Sequence, residues 1–367
     1  MRGQRMKSRF ALVAVVGALL AIAAGSSASA AVPRSFYGVS SQTPLTTPDF
    51  DRMGQGNVGT LRIILDWSGV VPSSAADDYN WAAIDALVAD AARNGISVLP
   101  FMYGTPQWVA RDLDGRNCTA KCGLFAPSSR GGIDAWAAFL RDAVARYGPN
   151  GAFWSANPGL PQVPITAWQI WNEQNSKSFY RPRPSAKKYV KLLKASNAAI
   201  KGFDPSADVI LGGMAELAGS RKATPGARYL QQLYKRKGAK KHFDGVAVHP
   251  YGAKLKAVQE QVELFRKAMK RGRDRGADLW ITELGWGSAR GGNPLNRGPK
   301  GQATRLKQAF KYFKKRRGKL NVRGVTWFSW MDSEAKICAW CPKSGLFTTQ
   351  LAPKRSWRAF IKFTGGS

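Results

Sequence analysis

Histidine is almost missing from this chain: 2 among 367 residues, His242 and His249. That leaves no room for a histidine-rich metal site, and no H-E-x-x-H run occurs. A G-x-S-x-G elbow is absent, which removes one common serine-hydrolase arrangement. No Walker-type loop is present, and no Gly-rich phosphate turn follows the first strand-like stretch, so nucleotide chemistry has no cradle. Beyond residue 30 there is no apolar run long enough to span a bilayer, no Ser- or Pro-rich linker and no low-complexity tract. The chain after that point reads as a single domain without an appended binding module. No metal and no organic cofactor is expected. Acids are scarce too, 23 against 56 lysines and arginines, and only six of them are glutamates.

What is present begins with an address. Arg2, Arg5, Lys7 and Arg9 form a positive head, Phe10 to Ala24 is apolar, and Ala28-Ser29-Ala30 is a small-x-small cleavage pattern. Residues 1–30 are expected to be a secretory signal peptide and 31–367 the mature domain, secreted and possible to find at the cell wall. An exported chain meets oxidising surroundings. Its four cysteines lie in two close pairs, NCTAKC and CAWC, so Cys118–Cys122 and Cys338–Cys341 disulfides are expected. Cross-pairing and a four-thiolate zinc site are the alternatives.

Eight apolar, β-branched and aromatic stretches follow one another: SFYGVS (35–40), TLRIILDW (60–67), ISVLPFMYG (96–104), ITAWQIWNE (165–173), DVILGGMA (208–215), DGVAVHPY (244–251), ADLWITELGW (277–286) and VRGVTWFSWMD (322–332). Continuous apolar character suits strands covered on both faces of a parallel sheet. Amphipathic segments separate them. In residues 80–95, Trp81, Ile84, Leu87, Val88 and Ala91 share a helical face, and Asn94-Gly95 supplies a stop. Strand and helix alternating eight times predicts a (β/α)8 TIM barrel, with a doubly wound open sheet as the alternative. In such a barrel the functional residues come from the C-terminal ends of the strands.

Two of the six glutamates end apolar strands: Glu173 on the fourth and Glu283 on the seventh. Glu260 and Glu263 fall in an amphipathic helix, Glu334 in the loop after strand eight, and Glu216 follows strand five as a possible rim residue. Barrel closure sets strands four and seven across the mouth from each other. Two carboxyl groups converging on one bond suit glycoside hydrolysis: one protonates the leaving oxygen, the other attacks the anomeric carbon or activates water.

WNE at 171–173 and TELGW at 282–286 resemble the retaining β-glycosidases of glycoside hydrolase clan A, with most similarity to family 39 and to cellulase-like family 5. The similarity spans nearly the whole mature chain. It implies Glu173 as acid/base, Asn172 as partner of the substrate 2-hydroxyl, and Glu283 as nucleophile. It also implies Arg62 as the residue orienting the nucleophile, His249 and Tyr251 as a strand-six pair, and either Trp327 or Trp330 as a sugar platform. In that clan a proline commonly follows shortly after the acid/base; here Gln174 and Asn175 stand. Trp67, Trp108 and Trp286, near strand ends, are candidate subsite walls or simply packing.

The formal charge is +33, and +29 once the four cations of the leader are removed. The runs at 234–243, 266–276 and 314–319 each end a helix that enters a strand, which maps them to the face opposite the mouth. Part of this is cation placement at helix C-termini. The basic underside is a candidate contact for an anionic cell-wall polymer or acidic glycan; nucleic acid is not an expected partner. The reading is therefore a retaining glycosidase acting on a carbohydrate. Its alternatives are a transglycosylase using the same residues, a non-catalytic glycan- or wall-binding barrel, and an enzyme for acidic glycans. The last needs cations in the mouth loops, where Arg111, Arg116, Lys121, Arg181 and Arg183 stand.

Overall fold

A computed structural model describes residues 32–367, apart from 72–78, 112–114, 218 and 336. The expected signal peptide lies outside the described residues. Eight parallel strands close into a ring: β1 (Tyr37–Ser40), β2 (Thr60–Asp66), β3 (Ser97–Tyr103), β4 (Ala167–Ile170), β5 (Asp208–Leu211, resuming at Met214–Ala215), β6 (Gly245–His249), β7 (Asp278–Leu284) and β8 (Val322–Phe328). Every neighbouring pair is consecutive, and β8 returns to β1, pairing Tyr37 with Val325 and Ser40 with Phe328. This is the (β/α)8 barrel, not the open sheet.

Helices cover the outside: α1 (Thr47–Gln55), α2 (Ala82–Arg93), α3 (Arg130–Tyr147), α4 (Ala186–Lys201), α5 (Gly226–Tyr234), α6 (Leu255–Arg271), α7 (Gly298–Leu320) and α8 (Arg355–Thr364). Each forms for local reasons. In α6, Val258, Val262, Phe265 and Met269 recur at intervals of four, three and four and are all fully buried against the barrel. Each such side chain contributes about 1.5–3 kcal/mol of burial. Ser129 and Ser185 start α3 and α4 by accepting from the backbone N–H groups of Gly132 and Lys188. Gly95, with φ of +61°, lets the chain leave α2 where a β-carbon would be strained.

Both cysteine pairs are local, Cys118–Cys122 and Cys338–Cys341. No thiol is left for cross-pairing or a thiolate zinc site among the described residues. Nor is any helix there long and apolar enough to cross a membrane. The three basic runs sit at the ends of α5, α6 and α7, where the chain enters β6, β7 and β8, at the N-terminal end of the barrel.

Candidate active site

Strand alternation decides what faces the barrel interior. On β2 it places Arg62 inward, on β4 Gln169, on β6 Ala247 and His249, and on β7 Trp280 and Thr282. Arg62 is 1% exposed and is the hub. Its Nε donates to Gln169 Oε1 at 2.8 Å, Nη2 to Asn172 Oδ1 at 2.8 Å, and Nη1 to Glu283 Oε1 at 2.7 Å. The guanidinium also lies over the Phe101 ring, 4.2 Å from its centroid.

By simple alternation Glu283 faces the helices, because Thr282 before it faces inward. A bulge corrects this. Ile281 pairs with Val325 and Leu284 with Trp327, so β7 carries one residue more than β8 between those points. Thr282 and Glu283 therefore both turn inward, and Leu284 resumes the outer face. Glu283 ends with both oxygens held, Oε1 by Arg62 and Oε2 by the Tyr251 hydroxyl at 2.6 Å. Burial alone would raise this carboxyl. The His249 ring and the Arg62 guanidinium, with hydrogen bonds from Tyr251 and Arg62, outweigh burial and hold it below the usual carboxylate range. Burial, with the Glu283 charge beside it, pushes the Tyr251 phenol well above its ordinary value, so it stays a donor.

Glu173 arrives differently. β4 ends at Ile170, three residues short of it, so the expectation that strand four runs to the glutamate is corrected. Trp171 (φ +71°) and Glu173 (φ +39°) both adopt the left-handed region, a conformation uncommon for such residues. Contacts on either side hold this turn. The N–H of Trp171 donates to Met102 O, and that of Glu173 to Gly213 O, each at 2.9 Å. The Trp171 indole donates to Phe179 O at 2.7 Å. Gln174 and Asn175 tie the turn to β5 by donating to the carbonyls of Gly212 and Ala215.

His249 links the two carboxyl groups. Its Nδ1 is 2.9 Å from Glu173 Oε1 and 3.5 Å from Glu283 Oε2, and its Nε2 is 3.1 Å from Thr282 Oγ1. Gln169 Nε2 donates to that same Thr282 oxygen at 3.3 Å, so the threonine proton turns toward Nε2. In the neutral imidazole this wiring leaves the proton on Nδ1, donating to Glu173.

The glycine pair in DVILGGMA makes room for all this. A β-carbon on Gly213 would collide with the His249 ring, and one on Gly212 with the Gln174 side chain. We expect Gly213→Ala to destabilise the fold by about 1–3 kcal/mol through overpacking. It should also lower kcat, because His249 and Glu173 must shift together. Urea midpoints and kcat measured side by side check it: an unchanged kcat would contradict the close approach.

The tryptophan expectations fare differently. Trp327 is fully buried on the outer face of β8, packed on Trp286 and Phe310, and its indole donates to Ser344 O. Trp330 is fully buried against Phe347 and Trp357, with its indole on Asp49. Neither presents a face to the mouth, and the expectation of a platform from either is corrected. Trp67 and Trp286 are likewise buried in packing. Alternation turns Phe328 to the mouth instead, where it meets Tyr251 and Trp340. Trp340, between the two cysteines of CAWC, packs edge-on to Tyr251 with ring centroids 5.1 Å apart. The Cys338–Cys341 bridge closes the short loop that carries it. Glu216, half-buried just after β5, accepts from the Ala227 N–H and anchors the start of α5.

One oxygen from each of Glu173 and Glu283 and one His249 nitrogen lie within 4.8 Å of one another. Three such atoms can in principle hold a cation. The Arg62 guanidinium on Glu283 opposes that use, whereas it supports a carboxylate that must stay ionised beside an acid.

No curated protein matches this chain by sequence. Among solved structures, the fold is similar to a family 39 glycoside hydrolase from the gut symbiont Bacteroides cellulosilyticus WH2, at 19% identity and a TM-score of 0.65. That likeness covers 90% of this chain but 63% of the other, so the chain spans less than two thirds of that protein's length. GH5_18 from Streptomyces cattleya, solved with Manb1-4GlcNAc, aligns at 16% identity over 90% of this chain and 80% of its own, with a TM-score of 0.64. The intracellular xylanase TsXylA of Thermoanaerobacterium saccharolyticum aligns at 14% identity over 89% of this chain and 94% of its own, with a TM-score of 0.60. At these identities the likeness is one of fold. Residues 165–355, which carry both glutamates and more than half of the chain, match the family model described as glycosyl hydrolase catalytic core. By that match, this chain belongs to the glycosyl hydrolase catalytic core family.

Proposed function

We propose that this protein is an exported retaining β-glycosidase that cleaves an oligosaccharide or polysaccharide by double displacement. The observation that supports retention most directly is the short gap between the carboxyl groups, with one oxygen of each within 4.8 Å. Retaining pairs stand about 5–5.5 Å apart, whereas inverting pairs leave about 6.5–9.5 Å for a water.

Glu283 is the nucleophile. Arg62 and Tyr251 hold both its oxygens and keep it ionised. It attacks the anomeric carbon while Glu173 gives its proton to the departing glycosidic oxygen. The C–O bond to the leaving sugar breaks, and a glycosyl ester of Glu283 forms. Esterification removes the negative charge of Glu283. Glu173, now ionised, takes a proton from water, and the resulting hydroxide displaces Glu283 from the opposite face. Two inversions give net retention. Asn172 offers its oxygen to Arg62, which orients its amide N–H₂ toward the cleft and the substrate 2-hydroxyl. Phe328, Trp340 and Tyr251 form an apolar wall on which a sugar face can pack. Residues 1–30 act as the leader of an exported chain, which accords with two disulfides in the mature part. A sugar hydroxyl in place of water can accept the glycosyl group, so transglycosylation is a second outcome of the same site.

The test is the first-formed product. Proton NMR of aryl β-glycoside turnover should show the β-anomer before mutarotation. An α-anomer would replace the mechanism with inversion, and no turnover of any β-glycoside or β-glycan would favour the non-catalytic binding barrel.

A further inference from the structure

A cavity of about 480 Å³ opens between the loops after β3 and β4, lined by Arg111, Phe125, Ser128, Ser129, Arg181 and Lys188 among others. No acidic residue is among its described lining; Asp112 and Asp114 lie outside the described residues. Arg111, which lends one guanidinium nitrogen to the carbonyls of Trp108 and Ala110, is exposed, as is Lys188. Arg181 lies near the Phe125 ring, 5.9 Å from its centroid, and its Nε is buried without a hydrogen-bond partner among the described residues. An N–H donor left unmade in a buried place has a cost that a ligand oxygen removes.

Two helices begin beside this cavity. Ser129 caps α3, of 18 residues, and Lys188 stands in the first turn of α4, of 16. Helix N-termini favour anions, yet the first turns here carry Arg130, Lys187 and Lys188 and no acid. Cations in that place are mildly unfavourable for the helices themselves. They make sense where a negative ligand docks.

The cavity also has a defined place relative to the chemistry. Arg181 stands eight residues after Glu173, and the chain between them is pinned by Trp171 and Tyr103, both of which donate to Phe179 O. Tyr103, on the inner face of β3, is within electrostatic reach of both Glu173 and Arg181. The group that protonates the leaving oxygen marks the leaving side of the bond. We propose that this cavity is a subsite for an anionic substituent, carboxylate or ester sulfate, on the leaving-side portion of an acidic glycan. The proposal rests on the glycosidase reading for its orientation, with Phe125 as the apolar face and Arg111, Arg181 and Lys188 as the cations. Of the other cations expected at the mouth, Arg116, Lys121 and Arg183 are exposed and do not line the cavity.

A chain of this charge adheres to any polyanion, so the test uses short ligands and a charge-matched control. Binding of a glucuronate-containing β-linked tetrasaccharide, its carboxyl-reduced form and a sulfated neutral tetrasaccharide would be measured by calorimetry at 0.15 M salt. The proteins are the wild type, the cavity variant Arg111→Gln/Arg181→Gln/Lys188→Gln, the exposed single Lys188→Glu, and an underside variant Lys314→Gln/Lys315→Gln/Lys319→Gln. The wild type should bind an acidic form at least about tenfold tighter than the reduced one, as lost charge-assisted hydrogen bonds would dictate. The cavity variant and Lys188→Glu should lose that preference, and the underside variant should keep it. Preference for glucuronate or for sulfate identifies the source of the anion. Equal loss in the cavity and underside variants, or no preference in the wild type, overturns the proposal. Aryl β-glycoside hydrolysis is followed in parallel: its absence in every protein removes the glycosidase reading, while the binding data still judge the cavity.

Discussion

Glu283→Gln is expected to lower kcat/KM on an aryl β-glycoside by on the order of 10⁴-fold or more, because the covalent step loses its only nucleophile. Glutamine keeps the size and can still accept from Arg62 or Tyr251, so the fold should persist. The counterpart, Glu173→Gln, should behave otherwise. An activated phenol needs little protonation to leave, so the first step survives and the glycosyl ester accumulates. A natural glycan, with a poor leaving group, should lose about 10²- to 10⁴-fold. Small nucleophiles separate the two roles. Azide should restore turnover of Glu173→Ala with a β-glycosyl azide as product, since it replaces the water that Glu173 activates. With Glu283→Ala it should attack directly and give the α-azide. The reverse pattern would exchange the two assignments, and identical behaviour of both variants would remove the double displacement.

Arg62→Met is the second large effect. Arg62 is 1% exposed and its three hydrogen bonds all go to other site side chains. Removing one partner of a buried ion pair costs about 3–5 kcal/mol, because the other charge is stranded. The sign with pH follows from the carboxyl. In the folded wild type Glu283 is held below its ordinary value of 4.5. It therefore contributes stability that is present above that value and is lost as pH falls through the folded one. Without the guanidinium, burial acts with less opposition and the folded value rises. The difference in stability between wild type and variant should be full at neutral pH and shrink as pH falls from the variant's raised value toward the wild type's lowered one. The acid limb of the variant's kcat/KM profile should move to higher pH. Urea titrations at pH 7 and pH 3.5 and the pH–rate profile read both. A stability difference that is flat across this range would mean that Arg62 acts by packing on Phe101, not by charge.

The barrel was legible because its signal is repeated. Eight apolar stretches and the amphipathic segments between them report burial directly, and each closes on its neighbour in chain order. The two glutamates were legible because a carboxylate at the end of an apolar run is conspicuous in a chain with six glutamates. The resemblance names Arg62, Asn172, His249 and Tyr251, and the structure brings Arg62, His249 and Tyr251 onto the two carboxyl groups and Asn172 onto Arg62. The period of two along β8 puts Phe328, and not Trp327, on the inner face. Trp330 shares the parity of Phe328, but β8 ends at Phe328, and the chain beyond it packs Trp330 against Phe347 and Trp357. Trp340 was not legible in this way. Its approach to Tyr251 depends on the path of a disulfide-closed loop, and no local pattern records that path. The left-handed turn through Trp171 and Glu173 was equally hidden, since nothing in WNE breaks the strand. Its one trace is the Gly212-Gly213 pair, whose missing β-carbons leave space for His249 and for the chain beside it.

The extra residue in β7 carries a consequence of its own. Phase along a strand is binary: an added or missing residue sends everything after it to the opposite side. Were the same residues paired with β8 without the bulge, Glu283 would oppose Trp327 and its carboxyl would point among the helices, with Arg62 and Tyr251 left behind. Every amino acid of the site would still be present, and the ring of strands could still close. Hydrolytic competence in this barrel is thus a matter of parity as much as of composition. A related chain with the same glutamate but an unbulged seventh strand would be a sugar-shaped cup with no reactive group in it.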